Sequence, residues 1–328
     1  MKNDQKYYKF SDYLKERFGC RVHKVSIDAG FSCPNKDGKL STDGCIYCDN
    51  KAFSFPVRNS TSLHKIGTIS NGARIETQIE NGIAFGRQRY GAEKFIVYFQ
   101  AYSNTYAPLD ILKQRYDVVR KFEDIVGISI GTRPDCVNEE ILDLIESYAG
   151  DYEVWIEYGL QSIHDKTLKL INRHHTYEDF LKAVELTRAP RWVRGSAPKQ
   201  RSSNIKICAH IIIGLPNETK EEMLETAKAL AKLKIDGVKI HPLHVVKGTK
   251  LEELFKKGKY KPLELDEYVD IVTEFLGYLP SDTVIQRLTA DCPKEFLVAP
   301  EWLLEKSNVL RRIEETLKER NTYQGKTL

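Results

Sequence analysis

The pattern of apolar and polar positions divides the chain into short β-rich runs and longer amphipathic segments. The apolar runs lie at residues 22–28, 94–100, 125–131, 153–159, 206–214 and 237–246. Most of them are continuously apolar, which is typical of strands covered on both faces of a parallel sheet. Amphipathic segments separate these runs, and the segment at 219–234 opens with Thr219 and Glu222 in the pattern of a capping box. We therefore expect repeated strand–helix units.

These units predict an α/β fold built on a parallel, barrel-like sheet. Six strands are too few to close an eight-stranded barrel, so we expect a partial (β/α)6 TIM-like barrel, open on one side. From about residue 248 the pattern changes to a helical stretch at 248–279, a strand within 282–291 and a last helix within 300–321. We interpret the chain as an N-terminal segment (1–20), a barrel core (21–247) and a C-terminal α+β extension (248–328).

The composition is that of an ordinary globular protein able to bury a core, with 41% hydrophobic residues among 328 and a net charge of +4. The charged N-terminus lacks the apolar stretch of a secretory signal, and no apolar run approaches the ~20 residues of a membrane-spanning helix. We therefore expect a cytoplasmic protein without a membrane partner. Thiols stay reduced in that compartment, so clustered cysteines there indicate a metal or catalysis more often than a disulfide.

Three of the seven cysteines fall close together in AGFSCPNKDGKLSTDGCIYC, residues 29–48. Cys33, Cys45 and Cys48 have the spacing C-x11-C-x2-C, and a zinc site completed by Cys20 is one use for them. However, Cys20 precedes the strand predicted at 22–28, and a strand of roughly 23 Å would place it at the far end of the barrel. The other three would lie where α/β barrels carry their chemistry, at the C-terminal end of that strand. Three thiolates on a [4Fe–4S] cluster would leave one iron open to a small molecule.

On these residues the sequence resembles the radical S-adenosylmethionine (radical SAM) enzymes, and the resemblance covers nearly the whole chain. Tyr47 stands before the last cysteine, where the family has an aromatic residue. The long first spacing, with CPN at Cys33, is similar to the branch of the Elongator catalytic subunit. Further matching stretches are 156–162, 171–180, 211–219, 241–251 and the tail VAPEWLL…TYQGK. The similarity is to short bacterial and archaeal relatives without the acetyltransferase domain, although the insert at 188–205 is longer than expected in them.

The resemblance implies a radical SAM partial barrel in which Cys33, Cys45 and Cys48 bind a [4Fe–4S] cluster and S-adenosylmethionine chelates the open iron. Reductive cleavage of S-adenosylmethionine would then give a 5′-deoxyadenosyl radical. The implied cofactor contacts are Tyr47 beside the cluster and near the adenine, Glu157 and Gln161 on the ribose hydroxyls, Arg173 on the methionine carboxylate, Gly214 next to the adenine, and Gln100 and Ser103 on the amino group. A structural role as a strand cap, an ion pair or a turn is the alternative for several of these residues, and we assign no catalytic side chain.

The substrate is less well defined. The insert at 188–206 has no acidic residue and six basic ones, namely Arg188, Arg191, Arg194, Lys199, Arg201 and Lys206. It predicts either a solvated loop or a loop that binds nucleic-acid phosphates, with Trp192 able to stack on a base. KKGKYK at 256–261 is compatible with the second interpretation. Because some relatives act on the wobble uridine of tRNA, the resemblance favours a tRNA-modifying enzyme.

Two alternatives remain open at this point. One is a radical SAM enzyme that acts on a small metabolite, and the other is a zinc-stabilised nucleic-acid-binding protein without catalysis. The two differ in the metal that the cysteines would hold. For a radical SAM enzyme, whether it acts on tRNA or on a small metabolite, we expect a reducing partner such as ferredoxin or flavodoxin. The sequence leaves the oligomeric state open.

Overall fold

The structure is a computed structural model that describes residues 5–49, 71–190 and 203–328. Its strands are β1 (Val22–Ile27), β2 (Lys94–Phe99), β3 (Ile125–Thr132), β4 (Glu153–Gln161), β5 (Lys206–Ile213), β6 (Gly237–Pro242), β7 (Val245–Val246), β8 (Val284–Arg287) and β9 (Leu297–Ala299). Its α-helices are α1 (Phe10–Phe18), α2 (Asn71–Tyr90), α3 (Leu109–Tyr116), α4 (Glu139–Glu146), α5 (Asp165–Leu170), α6 (Tyr177–Arg188), α7 (Lys220–Lys232), α8 (Lys250–Lys256), α9 (Leu265–Gly277) and α10 (Lys306–Glu319). Seven strands form the main sheet in the order β1-β2-β3-β4-β5-β6-β8, and each neighbouring pair is parallel.

The main sheet curls until its two edge strands approach each other. Lys24 on β1 donates from Nζ to Glu157 on the central strand β4 at 2.5 Å and to Gln286 on the opposite edge strand β8 at 2.9 Å. One side chain can reach the centre and the far edge of a sheet only if the sheet curves around it. The expected partial, open α/β barrel is therefore confirmed. Helices such as α2, α6 and α7 pack their apolar faces into the core that covers the sheet.

The N-terminal segment closes the barrel at the N-terminal ends of the strands. Trp155, near the start of β4, is fully buried, and the rings of Phe10 and Tyr13 on α1 meet it edge to face at centroid distances of 5.9 and 5.7 Å. Ile285 on β8 donates its backbone N–H to Tyr8 O at 2.8 Å, which fixes the same segment to the edge strand. This end of the barrel is plugged, so a ligand must enter from the C-terminal ends of the strands.

The C-terminal extension contributes to the barrel itself. The strand expected within 282–291 is β8, and it pairs in parallel with β6 as the seventh strand of the sheet. The run expected at 237–246 is interrupted: β6 ends at Pro242, which has no N–H to continue a ladder, and β7 pairs antiparallel with β9 instead. The boundaries at residues 20 and 247 stay predictions, but the segments on either side of 247 share one sheet.

The sequence predicts where helices begin better than how far they extend. The capping box at the start of α7 is confirmed, since Thr219 and Glu222 exchange side chain–backbone hydrogen bonds. The helical stretch at 248–279 is two helices, α8 and α9, because Gly258 adopts a left-handed backbone (φ 65°) and Pro262 follows it. None of the helices in the described residues is both long and apolar enough to cross a membrane.

Candidate active site

A cavity of about 680 Å³ opens at the C-terminal ends of the barrel strands. Its walls come from the cysteine loop, from residues at or just beyond the ends of β2, β3, β4 and β6, and from the C-terminal extension. Nine of the ten site residues expected from the sequence line this cavity: Cys33, Cys45, Tyr47, Cys48, Gln100, Ser103, Glu157, Gln161 and Arg173. Gly214 lies outside its wall. The fold thus brings together residues that are up to 140 positions apart in the sequence.

The cysteine loop is fixed by side chains that recognise backbone. Asn35, of the CPN stretch, donates from Nδ2 to Asn172 O at 2.7 Å, and Asn172 donates from its own Nδ2 to Gly44 O at 2.7 Å. Ile46 N also donates to Ile171 O at 3.1 Å. The loop is therefore held against the turn that follows α5. Cys20, by contrast, lies between α1 and β1, at the plugged end of the barrel.

The spacing of the three thiols bears on which metal they would hold. Three thiolates on one zinc ion, each at about 2.3 Å, would lie roughly 3.8 Å apart. The Sγ atoms of Cys33, Cys45 and Cys48 do not all lie within 4.8 Å of one another. An iron–sulfur cluster takes its thiolates on separate iron atoms, so it does not require the three sulfurs to meet at one ion.

The thiols also need a cation near them. Burial raises the pKa of Cys48 to about 12, and the charges of Cys45 and Cys33 contribute to the rise. Three ionised thiols this close together are unfavourable without positive charge between them, and a bound metal centre supplies it. Arg173 provides part of the compensation, with Nη1 at 3.6 Å from Cys45 Sγ.

Arg173 also holds the site together through its own hydrogen bonds. Its Nη2 donates to Gly159 O at 2.8 Å and its Nε to His175 Nε2 at 2.9 Å, in addition to the contact with Cys45. Burial lowers the pKa of Arg173, but Cys45 and Tyr47 outweigh burial and raise it, so the guanidinium stays charged. Three of its five N–H groups thus hold the cysteine loop and its surroundings, and the expected contact of Arg173 with a carboxylate stays a prediction.

Arg133 is the guanidinium that sequence reasoning missed. It follows β3 directly, lines the cavity and is only 2% exposed. Its Nε and Nη2 donate to the two carboxylate oxygens of Asp135, each at 2.8 Å, while Nη1 is buried without a hydrogen-bond partner in the described residues. A buried N–H of a charged group is costly to leave unpaired, so this atom is suited to an anionic ligand. The sequence signal that could have identified Arg133 is its position in GTRPD, directly after a predicted strand.

Glu157 also departs from its expected role. It lies in the middle of β4, fully buried, and its two oxygens already accept from four protein groups: Lys24, Ser129, His210 and Lys239. Burial raises the pKa of Glu157, but Lys239 and Lys24 outweigh burial and hold the pKa well below its ordinary range. A carboxylate accepts about four hydrogen bonds, so Glu157 has no capacity left for ribose hydroxyls.

Gln161 lies at the open end of the same strand. It is the last residue of β4, next to an irregularity in the pairing with β5, and its backbone is left-handed with φ 75°. Bulges and rare backbone conformations at a strand end commonly re-aim a side chain at a site. Ser103 is buried in the β2 loop, whose backbone is held by Ser103 N donating to Ser32 O at 3.1 Å.

Gly214 has a structural reason for being glycine. Its φ is 87°, and an added Cβ would lie 3.0 Å from a Leu263 methyl group. Its carbonyl accepts from Tyr260 Oη at 3.1 Å. The residue supports the turn after β5, and the structure does not place it where an adenine would contact the cavity wall.

The basic insert is attached to the plugged end of the barrel. Its central residues 191–202, with Arg191, Arg194, Lys199, Arg201 and Trp192, lie outside the described residues. Arg188 donates to Leu233 O and Lys234 O, both at 2.6 Å, and Lys206 begins β5 at the end remote from the cavity. These two basic residues therefore do not face the cavity. In the KKGKYK stretch, Lys256, Lys257 and Lys261 each pair with a nearby glutamate.

Sequence comparison supports the same interpretation. The chain matches the Radical SAM superfamily over residues 41–230 and the Radical_SAM C-terminal domain over residues 235–319. It is 36% identical to the uncharacterized protein YtqA of Bacillus subtilis over 325 residues, which is 98% of this chain and 93% of YtqA. It is 30% identical to the tRNA uridine(34) acetyltransferase of Methanocaldococcus jannaschii over 177 residues, 53% of this chain but only 30% of that protein.

Structural comparison gives the same fold. The archaeal Elp3 of Methanocaldococcus infernus superposes with a TM-score of 0.61 at 18% identity, over 92% of this chain and 64% of that chain. The match spans less than two thirds of Elp3, so it concerns only part of that protein. Members of the superfamily generally use S-adenosylmethionine together with an iron–sulfur centre. The chain belongs to the radical SAM superfamily and is a radical SAM enzyme similar to the short Elp3-like proteins.

Proposed function

We propose that Cys33, Cys45 and Cys48 hold a [4Fe–4S] cluster and that the enzyme cleaves S-adenosylmethionine reductively in the cavity beside them. The observation that carries the proposal is that the three thiols of one loop line the same cavity, in a chain that matches the Radical SAM superfamily. When bound, the cluster supplies the electron that breaks the C–S bond and releases a 5′-deoxyadenosyl radical. A ferredoxin or flavodoxin in the cytoplasm would reduce it.

The residues of this chain bind and orient the cofactor. The buried Nη1 of Arg133 meets the methionine carboxylate, because it is a charged donor in need of an acceptor. Gln100 and Ser103, from the neighbouring β2 loop, hold the amino group, and Gln161 holds the ribose hydroxyls. Tyr47 is buried beside Cys45 and Cys48 and shields the cluster side of the cavity from water.

The substrate that we propose is tRNA, modified on the side chain of its wobble uridine. The support is the similarity of this chain to part of a tRNA uridine(34) acetyltransferase. A cavity of about 680 Å³ is the size of one small-molecule site, so a nucleoside would have to leave its stack to enter. A small metabolite is the second candidate. The cavity volume favours it, and so does the position of Arg188 and Lys206, which do not face the cavity.

Two measurements test the cofactor proposal. After anaerobic reconstitution, alanine variants of the three cysteines should each lose iron, whereas the matched control Cys20→Ala should keep it. The wild-type protein, once reduced, should convert S-adenosylmethionine to 5′-deoxyadenosine, measured by chromatography. Stoichiometric zinc without iron, or equal iron loss in Cys20→Ala, would contradict the proposal.

The substrate proposal has its own test. Nucleosides of tRNA from wild-type and gene-deleted cells are compared by mass spectrometry, and the tRNA that lacks a modification is then incubated with the reduced enzyme. Restoration of the modification by wild-type protein, but not by Arg133→Gln, is the expected result. Identical nucleoside profiles from the two strains would favour the small-metabolite candidate.

A further inference from the structure

A layer of charged and polar side chains lies in the barrel below the cysteine loop. We call Lys24, Ser129, Glu157, His210, Lys239 and Arg287 the barrel floor. Their strands are neighbours in the sheet: His210 on β5 is in register with Lys239 on β6, and Lys239 is in register with Arg287 on β8. Glu157, His210, Lys239 and Arg287 line the same cavity as the three cysteines.

The barrel floor has more positive than negative charge. Two of its three cations, Lys24 and Lys239, contact the single carboxylate of Glu157, and Arg287 is the third. Burial, and then Lys239, lower the pKa of His210 to about 4, so its imidazole is neutral at pH 7 and leaves the excess unchanged. Asp291 lies 3.5 Å from Arg287 and 2.8 Å from Lys306, so these two cations share one carboxylate. Positive charge therefore exceeds negative charge in the floor and its immediate surroundings.

The carboxylate of the barrel floor and the neighbouring Gln286 carbonyl oxygen are already occupied as acceptors. The oxygens of Glu157 accept from four groups, and Gln286 Oε1 accepts from Lys24 at 2.9 Å. The buried Nε2 of Gln286 is then left without a partner in the described residues. The ring of Tyr98 lies 4.7 Å from Lys24 Nζ and 4.3 Å from Lys239 Nζ and orients both, but it brings no net negative charge.

Lys239 shows the consequence of this arrangement. It is 4% exposed, and burial lowers its pKa to about 8; Glu157 and, less strongly, Cys208 oppose this change, whereas Lys24 and Arg287 act in the same direction as burial. A cation whose charge is disfavoured in this way gains from a second anion nearby. Concave sites with an excess of one charge and low-dielectric walls attract ligands of the opposite charge.

A metal ion is a poor occupant of this position. Ligand atoms of Glu157, Cys208 and His210 lie within 4.8 Å of one another, which is close enough for one ion. However, Lys24 and Lys239 each contact an oxygen of that carboxylate. A cation would have to displace two ammonium groups in a floor that is already positive.

We propose that the barrel floor binds an anionic oxygen group, a carboxylate or a phosphate, of the molecule on which the enzyme acts. The identity of that molecule as the substrate rests on the proposed function. The carboxylate of S-adenosylmethionine is a different anion, because Arg133 follows β3 whereas Lys239 and Arg287 lie on β6 and β8, across the curled sheet. The floor would hold one end of the substrate while a neighbouring carbon faces the cofactor.

Probe binding by the full-length protein tests this proposal. Acetate and inorganic phosphate are titrated at constant ionic strength, and affinity is followed by calorimetry for wild type, Arg287→Gln and the matched control Arg312→Gln, an arginine paired with Asp266 outside the cavity. Losing one charged hydrogen bond should weaken binding of the preferred probe by ~10-fold or more in Arg287→Gln, and leave Arg312→Gln like wild type. The preferred probe distinguishes a carboxylate from a phosphate ligand.

The outcome can be separated from that of the proposed function. Anion binding is measured without S-adenosylmethionine turnover, whereas substrate-free formation of 5′-deoxyadenosine by wild type and Arg312→Gln reports on the cofactor chemistry. Since Arg287 is one-third exposed, its variant should fold, and Lys239→Met provides a second test of the same floor. If both probes bind Arg287→Gln and Lys239→Met as they bind wild type, or bind none of the proteins, the proposal is wrong.

Discussion

Replacing Glu157 by glutamine should destabilise the protein strongly, because this residue is the one carboxylate among the floor cations. The side chain of Glu157 is 0% exposed, and its partners Lys239 and Lys24 are 5% and 18% exposed. Removing one member of a buried ion pair costs about 3–5 kcal/mol, because the remaining charge stays desolvated. With two ammonium groups affected, we expect a loss in that range in the free energy of unfolding.

Urea unfolding of the full-length chain measures this loss. Glu253→Gln is the matched control, since Glu253 and Lys257 form a pair at 3.8 Å with side chains 69% and 64% exposed. Such exposed pairs contribute little, so the control should stay within about 0.5 kcal/mol of wild type. Adding Lys239→Met to Glu157→Gln should recover part of the stability, because one of the two unpaired cations is removed.

The pH dependence gives an independent check. Without Glu157, the pKa of Lys239 should fall below its present value of about 8, because the charge of Glu157 opposes the effect of burial most strongly. Between that lowered pKa and the ordinary lysine value, the unfolded chain binds a proton that the folded chain does not, so stability rises with pH. Wild type gains stability in the same way only above about pH 8, so the deficit of Glu157→Gln should shrink as the pH rises to about 8 and then stay constant. A deficit below ~1 kcal/mol, or one independent of pH, would refute the reasoning.

Three further outcomes follow from single contacts. The pKa of His210 is lowered to about 4, so the unfolded chain binds a proton before the folded chain does as the pH falls below about 6.5, and the protein loses stability. His210→Gln should reduce this loss, which acid-unfolding curves measure. Arg188→Ala removes two hydrogen bonds to carbonyls after α7 and should cost about 1–2 kcal/mol in urea unfolding, with cavity ligands bound as before. Gly214→Ala should cost about 1–3 kcal/mol, because φ is 87° and Leu263 is close, while iron content after reconstitution stays at the wild-type value.

The main strands could be predicted because parallel strands covered on both faces leave a strong apolar signal. The run at 125–131 became Ile125–Thr132, and the run at 22–28 became Val22–Ile27. The role of β8 could not be predicted from its sequence. Four residues, VIQR, with Gln286 and Arg287 polar, carry no apolar run, and pairing with β6 depends on how the extension folds back. Which strands become neighbours is set by tertiary packing and not by local periodicity.

The sequence was enough to predict where the cysteine loop lies, but not how deep in the barrel individual side chains such as that of Glu157 lie. The cysteine loop follows β1, and strand order alone places it at the C-terminal end of the barrel. Glu157 and Gln161 look alike in sequence, since both belong to the same strand and differ by an even number of positions. Only the extension of β4 to Gln161 shows that one side chain lies in the buried floor and the other at the open end.

Unused hydrogen-bonding capacity separates the groups that can meet a ligand from the groups that hold the site together. Arg173 and Arg133 are both buried and both line the cavity, yet each nitrogen of Arg173 has a partner in Cys45, Gly159 or His175, whereas Nη1 of Arg133 has none in the described part of the chain. The barrel floor has the same need for an acceptor, on the opposite wall. A cavity with two separate positions suited to an anion can hold a cofactor and a substrate at a fixed distance from each other. That distance is what hydrogen abstraction from a single carbon requires, because a reacting pair must be held in near-contact geometry while other positions are kept out of reach.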